Sequence, residues 1–248
     1  MFSENERCLY RNDQLGEVIC QIRFPEILSI GAKVPADFQE HIRHLFPQFS
    51  VSYESVENGK SSINYRFGTA DGVWQLNLTT GFIALTCKKY TSWESFAKRL
   101  DAPLSAFIQL YKPAYFERIG LRYINLISRN SLGLAEMPFR ELIHKQYLGL
   151  MADESMRENA FTCCSCDFDT EIRNGCHAKI HAGPGRVRRN NVDDGEVKFI
   201  FDLDLYTVGN NPVNHAVSAL ETLHAQAFPI FRAAITDELH NALDPMPI

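Results

Sequence analysis

The segment ERIGLRYINLI, residues 117–127, carries apolar side chains at alternate positions: Ile119, Leu121 and Tyr123. Side chains two residues apart lie on the same face of a β-strand, so this spacing predicts a strand with one buried face. Asn125 follows Tyr123 by two residues, so its side chain lies on the same, buried face of the strand. Because buried polar groups are almost always hydrogen-bonded, we expect the Asn125 side chain to satisfy a backbone group there.

The other face of this strand carries Arg118 and Arg122, with Gly120 between them. Two explanations stay open. The arginines could pair with acidic residues on neighbouring strands, which contributes about 0.2–1 kcal/mol per pair. Alternatively, they bind an anionic group, because the planar guanidinium fits carboxylate or phosphate.

The segment EVICQIRF, residues 17–24, repeats the pattern, and Val18 and Cys20 align with Ile119 and Leu121 when the two segments are superimposed. After each segment the chain reads as a helix, several antiparallel strands and a long helix. We therefore predict an α+β fold: an antiparallel sheet with long helices packed on one face, of the helix-grip or TATA-binding-protein-like kind. An internal duplication would divide the chain into repeats at 1–115 and 116–248, which could form one continuous domain.

Two breaks in the pattern predict further features. Pro103 should kink or divide the helix that ends the first half. In the segment HAGPGRVRRNNVDDGE, residues 181–196, the run Gly183–Gly185 should interrupt a strand, and the loop beyond it should form a hairpin with a basic tip. The candidate anion-binding arginines of that tip are Arg186, Arg188 and Arg189.

The composition is that of an ordinary folded protein, with 248 residues, 45% hydrophobic, 22% charged and a net charge of -5. No run of about 18 apolar residues is present, so we expect no membrane span and a cytoplasmic protein. Seven cysteines without a regular spacing fit a reducing compartment. The negative charge disfavours general attraction to nucleic acid.

A metal site is the main alternative for chemistry. Asp167 and Asp169 share one strand face, and so do Asp202 and Asp204. If their strands were adjacent, the four carboxylates could bind a metal ion for a reaction on a phosphate-containing substrate. The cysteines at 163–166 lack the ligand spacing of structural zinc sites and are expected to be strand residues. We expect no metal and no cofactor.

The segments NDQLGEVICQIRF and RIGLRYINLI, with YTSWESF between them, resemble the signature of a sporadically distributed family of bacterial and archaeal proteins of roughly this length. The resemblance covers essentially the whole chain. One position departs from it, since Gly16 stands where a Pro-Leu pair is expected before Glu-Val. The family has no established activity, so the resemblance implies a compact intracellular domain and no specific chemistry.

The sequence predicts a binding or interaction module without catalytic activity. Its open sheet face or its basic hairpin would engage a partner protein, a second copy of the chain or an anionic ligand. The alternatives are the metal-dependent enzyme and, with less support, a nucleic-acid-binding protein. The latter lacks a stretch in which aromatic and basic residues alternate.

Overall fold

A computed structural model describes residues 8–55, 61–173, 175–189 and 192–247. The strands are β1 Cys8–Tyr10, β2 Leu15–Arg23, β3 Gln48–Ser55, β4 Ser61–Gly68, β5 Trp74–Leu78, β6 Phe82–Cys87, β7 Phe116–Ile127, β8 Cys166–Arg173, β9 Cys176–Arg189, β10 Val192–Asn211 and β11 Pro245–Pro247. The α-helices are α1 Leu28–Ala32, α2 Ala36–Ile42, α3 Trp93–Tyr111, α4 Phe139–Leu142, α5 Ala216–Ala234 and α6 Asp237–Ala242. Strands β2 to β10 belong to a large antiparallel sheet, as the α+β prediction requires.

The chain divides into two compact units, which are described separately. We call the first the meander unit, and it comprises Glu17–Arg122 and Tyr206–Leu223. We call the second the hairpin unit, and it comprises Met1–Gly16, Tyr123–Leu205 and His224–Ile248. The proposed duplication with a boundary at 115/116 stays a prediction. None of the helices in the described part of the chain is long and apolar enough to cross a membrane.

The meander unit has the strand order β3-β4-β5-β6-β2-β7. Alternation decides which face is buried: Val18, Cys20 and Ile22 are at most 1% exposed, whereas their neighbours along β2 are half-buried or, at Arg23, exposed. Helix α3 packs on the sheet through Phe107, whose ring lies 4.5 Å from that of Phe24. Helix α2 packs against α3. The predicted meander and helix layer are therefore confirmed in this unit.

The hairpin unit has the strand order β7-β10-β9-β8. Its core is aromatic, with Phe139 against Phe199 at 5.4 Å and Phe201 against Phe231 of α5 at 5.9 Å. Strand β7 takes the predicted orientation, and Asn125 is 6% exposed and donates to the Phe201 carbonyl at 3.3 Å. The backbone partner predicted for this asparagine is thus confirmed. Strands β1 and β11 form a separate antiparallel pair.

Three local predictions were wrong in whole or in part. Helix α3 is not divided at Pro103, and Phe96 and Phe107 on either side of this proline are fully buried. The other possibility, a kink at Pro103, stays a prediction. The segment 211–243 was predicted as one long helix, but α5 ends at Ala234 and α6 restarts at the N-cap Thr236, whose side chain accepts from the Leu239 amide. The segment Gly183–Gly185 lies inside strand β9.

The glycines of β9 lie close to neighbouring atoms, and Gly183 is needed for the approach of a backbone carbonyl, which explains that third error. A Cβ atom at Gly183 would lie 2.4 Å from the Cys164 carbonyl oxygen, and one at Gly185 would lie 2.5 Å from the Ile200 side chain. Glycine in a strand often marks such a close approach and does not by itself end the strand. The strand therefore reaches Arg189, and the hairpin connection follows it.

Candidate functional site

Arg118 is part of a packed stack on the meander unit. Its guanidinium carbon lies 4.4 Å from the centre of the Tyr206 ring, and the residue is half-buried. A Cβ atom at Gly120 would lie 2.1 Å from Arg118 Nη1, and the three nearest heavy atoms all belong to Arg118. The absence of a side chain at Gly120 therefore gives the arginine the space to lie flat on the strand.

Arg122 lies on the same face of β7 and is exposed. Since the guanidinium of Arg118 is engaged with Tyr206, an anion at this place would meet a guanidinium already stacked on an aromatic ring. The anion-binding role of Arg118 and Arg122 stays a prediction.

The four aspartates of the metal hypothesis lie on strands that are not neighbours. Asp167 and Asp169 are on β8, and Asp202 and Asp204 are on β10. Strand β9 lies between β8 and β10, so the two pairs are separated by two strand spacings, about 10 Å. The condition set for a four-carboxylate site, adjacent strands, is not met.

The carboxylates of β8 face basic residues across the strand pair. Asp167 is opposite His181 and Asp169 is opposite Lys179. His181 Nδ1 lies 2.8 Å from Asp167 Oδ1, and this hydrogen bond holds the pKa of the Asp167 carboxyl below its usual value. Among the described residues, no group of three or more His, Cys, Asp or Glu side chains is placed to hold a metal ion.

The cysteines do not form such a group either. The prediction that Cys163 and Cys164 are strand residues was wrong, because both precede β8, which begins at Cys166. Cys20, Cys87 and Cys176 are buried. Burial raises the pKa of the Cys20 thiol to about 12. Cys163 differs, since it is exposed and lies beside the cavity described next.

One cavity of the hairpin unit gathers arginines from four separate parts of the chain. It measures about 850 Å³. We call it the arginine cavity, and its lining residues are Arg129, Glu136, Pro138, Arg140, Glu154, Met156, Arg157, Glu158, Asn159, Phe161, Thr162, Cys163, Pro184, Gly185, Arg186 and Val197. Its volume is in the range of small-molecule sites.

Arg129 is the fixed arginine of the cavity. It pairs with Glu158 at 2.8 Å, donates to the Met137 carbonyl at 2.9 Å, and lies 4.0 Å above the Phe139 ring. Glu158 also accepts from the Phe139 amide at 2.7 Å. Both side chains are largely buried, with 18% and 26% exposure, so this pair holds one wall of the cavity.

The other three arginines are exposed and weakly held. The nearest acidic partner of Arg140 is Glu141, at 3.9 Å. The side chains of Arg157 and Arg186 make no hydrogen bond or ion pair with the residues that the structure describes. Their guanidinium groups are therefore available to a ligand.

Arg186 links the cavity to the predicted basic hairpin. It lies on β9, where both Arg186 and Arg188 are exposed, and only Arg186 of the two lines the cavity. The side chain of Arg189 lies outside the described part of the structure. The structure thus assigns Arg186 to the cavity, and an anion-binding role for Arg188 and Arg189 stays a prediction.

Sequence reasoning missed three of the four cavity arginines. Arg129 follows the end of β7, Arg140 is in α4, and Arg157 lies in the connection between α4 and β8. No period or short motif relates these positions to Arg186. Only the tertiary fold brings them together, so the local pattern held no signal for the site.

No protein-family model matches this chain, and a search of curated proteins finds no match. The family resemblance noted in the sequence therefore stays a prediction.

Proposed function

We propose that the chain is a binding module that holds an organic anion, with a carboxylate or phosphate group, in the arginine cavity. The observation that carries this proposal is the convergence of four arginines, far apart in sequence, on one cavity of about 850 Å³. Unpaired arginines in a concave site are costly to gather, because their charges repel one another. An anionic ligand offsets that repulsion.

Arg140, Arg157 and Arg186 would bind the anionic group. Guanidinium presents two parallel N–H donors to a carboxylate or phosphate, and such charge-assisted bonds are stronger than neutral ones. Arg129 has a different role. Its contacts with Glu158 and Phe139 already use the side chain, so it positions the wall.

The rest of the lining limits the ligand. Glu136 and Glu154 are exposed and add negative charge, so the cavity is not a general cationic surface. Met156, Phe161 and Pro138 add apolar contact area. A compact anionic head on a body with apolar groups matches this mixture better than a polyanion, which would meet both glutamates.

The absence of turnover is part of the proposal. The alternatives, a metal-dependent enzyme and a nucleic-acid-binding protein, have less support, since the strand aspartates are separated by β9 and Glu136 and Glu154 line the basic cavity. We also propose an intracellular location, which rests on the composition and the odd number of cysteines.

The proposed internal duplication is supported by the order of the elements. Strand β2 is followed by α1, α2, β3–β6 and α3, and strand β7 is followed by α4, β8–β10 and α5. Both series run strand, helix, antiparallel strands, long helix, as a helix-grip repeat would. Superposing residues 15–111 on 116–234 tests this proposal.

Isothermal titration calorimetry of the full chain tests the function, with three probes: inorganic phosphate, succinate and benzoate. We expect at least one to bind with a stoichiometry of one. Arg157→Ala combined with Arg186→Ala should weaken that binding by at least about 100-fold, since each charge-assisted bond contributes about 1.5–3 kcal/mol.

Arg173→Ala is the matched control, because Arg173 is an exposed arginine of the same unit and does not line the cavity. It should leave the affinity unchanged. Native mass spectrometry of protein purified at low salt covers other anions, and should show a bound small molecule that the double variant loses. If none of the probes binds and no small molecule is retained, the proposal is wrong.

A further inference from the structure

Strand β3 is the last strand in the order of the meander unit, and β4 is its only paired neighbour among the described strands. The pairing runs without a register shift from Gln48 opposite Gly68 to Ser55 opposite Ser61. Strand β3 is therefore a regular edge of eight residues, and its outer side presents backbone N–H and C=O groups.

One face of this edge strand is apolar and exposed. Phe49 is 41% exposed, Val51 40% and Tyr53 73%. Phe49 contacts the neighbouring Phe67 ring at 5.3 Å, and Tyr53 lies opposite Ile63 of β4. These three side chains form a strip along the end of the sheet, which we call the β3 strip.

The edge lacks the usual protection against pairing. Natural edge strands carry charges, prolines or bulges that prevent another strand from adding to the sheet. Residues 48–53 contain no charged residue and no proline, and the register shows no bulge. Glu54, near the end of β3, is the one charged residue of the strand. A long, regular strand with an apolar face and a single charge near its end is suited to add a further strand.

We propose that β3 pairs with β3 of a second copy of this chain, antiparallel, with the two-fold axis at Val51. In that register Phe49 lies opposite the partner's Tyr53, and Val51 lies opposite the partner's Val51. Ser50 lies opposite the partner's Ser52 on the other face. The strip thus complements itself. The one charged residue of β3, Glu54, lies opposite the partner's Gln48 in this register, so no like charges meet.

A second copy fits better than an unrelated strand for a reason of symmetry. An antiparallel pair of identical strands places the same patch on both chains, which is the isologous contact of two-fold dimers. The inference is independent of the arginine cavity, since none of the cavity residues belongs to the meander unit.

Light scattering after size exclusion tests the proposal on the full chain. At a protein concentration of tens of micromolar, the expected mass is twice that of one chain. Val51→Lys and Tyr53→Lys should each reduce the mass to that of one chain. A lysine at position 51 would face the same lysine of the second copy, and a lysine at position 53 would face the partner's Phe49. Circular dichroism shows whether each variant is folded.

Val217→Lys is the control, because Val217 is an apolar residue of the same unit that is 60% exposed on α5. It should leave the dimer intact. A single-chain mass for the unaltered protein at every concentration would overturn the proposal. So would a dimer that survives both β3 substitutions.

Cross-linking then tests the register. In a Cys163→Ser background, which removes the exposed thiol, Val51→Cys should form a disulfide-linked dimer with oxidised glutathione. Ser52→Cys should form one at least tenfold more slowly, because Ser52 points to the other face and lies off the axis. Equal rates for the two variants would rule out a two-fold axis at Val51.

Discussion

The arginines of β7 and the arginines of the cavity differ in two ways: how clearly the sequence marks them, and whether their side chains have partners in the structure. Arg118 and Arg122 are close in sequence, and their alternation in one strand marks them as candidates. In the structure, Arg118 stacks on Tyr206. Arg157 and Arg186 are far apart in sequence and unremarkable in pattern, yet they share a cavity and have no ion partner in the described chain. An arginine with fixed partners stabilises the fold, whereas an arginine held without partners at a cavity is available for a ligand.

The arginine cavity contains both kinds of arginine, which makes the comparison testable within one site. Arg129 has a carboxylate, a carbonyl and an aromatic ring around it. Arg157 has none of these among the described residues. Substitutions should therefore divide into those that change the free energy of unfolding and those that change binding alone.

The largest effect on stability is expected for Arg129→Ala. It leaves the largely buried Glu158 without its ion partner and removes the contact with the Phe139 ring, so we expect a loss of about 2–3 kcal/mol. Urea unfolding followed by circular dichroism measures it. Arg129→Lys should recover part of the loss, since a lysine reaches Glu158 but lacks the planar fork. A loss below about 0.5 kcal/mol for Arg129→Ala would show that the wall of the arginine cavity does not depend on the ion pair of Arg129 with Glu158.

A smaller effect is expected for Arg118→Ala, because a half-buried cation–π contact is worth about 1 kcal/mol. The same urea measurement applies, with Tyr206→Leu as the partner substitution. The two losses should not add in the double variant, since both remove one contact. Full additivity would mean that the stack contributes nothing and that Arg118 is held by other contacts.

Much of the fold could be predicted because alternation and turn residues are local. The buried parity of β7 and β2 followed directly from positions such as Ile119 and Val18, and both are fully buried. The sequence also placed Asn125 correctly on the buried face. The predictions that failed concern features that depend on residues distant in the sequence. The glycines of β9 were read as a break, although Gly183 is set by the approach of the Cys164 carbonyl.

The candidate site was predictable only in part for the same reason. Arg186 stood out because it belongs to a basic run that the sequence pattern assigned to a hairpin loop, although the structure places it in β9. Arg129, Arg140 and Arg157 fall in a loop, a four-residue helix and a long irregular connection, where no period exists to indicate a shared face. For the aspartates, the sequence pattern indicated a site that the fold does not form. The two pairs do alternate along β8 and β10, but β9 lies between these strands.

A still smaller effect is expected for Gly120→Ala, and its sign depends on Arg118. In the unaltered chain the new methyl group would lie where Arg118 Nη1 now lies, so the guanidinium must leave the Tyr206 ring and stability should fall by under about 1 kcal/mol. In the Arg118→Ala background the space is empty. There the same substitution should be neutral or stabilise by up to about 1 kcal/mol, since glycine is unfavourable in a strand. A loss of equal size in both backgrounds would mean that Gly120 is required for another reason.

The smallest effect on stability is expected for Arg157→Ala and Arg186→Ala, each within about 0.5 kcal/mol of the unaltered chain, because neither side chain has a partner to lose in the described structure. A slight gain is the more informative result. Arg129 is paired with Glu158, so removing Arg157 or Arg186 reduces the repulsion within the remaining three arginines. Each variant should therefore be at least as stable as the parent at low salt, and the difference should shrink as salt is added. In the presence of a bound anion the order should reverse, because the ligand stabilises only the chain that binds it. A marked loss of stability without ligand would place these two arginines with Arg118 and Arg129 as structural residues, and would remove the basis for assigning the cavity to an anion.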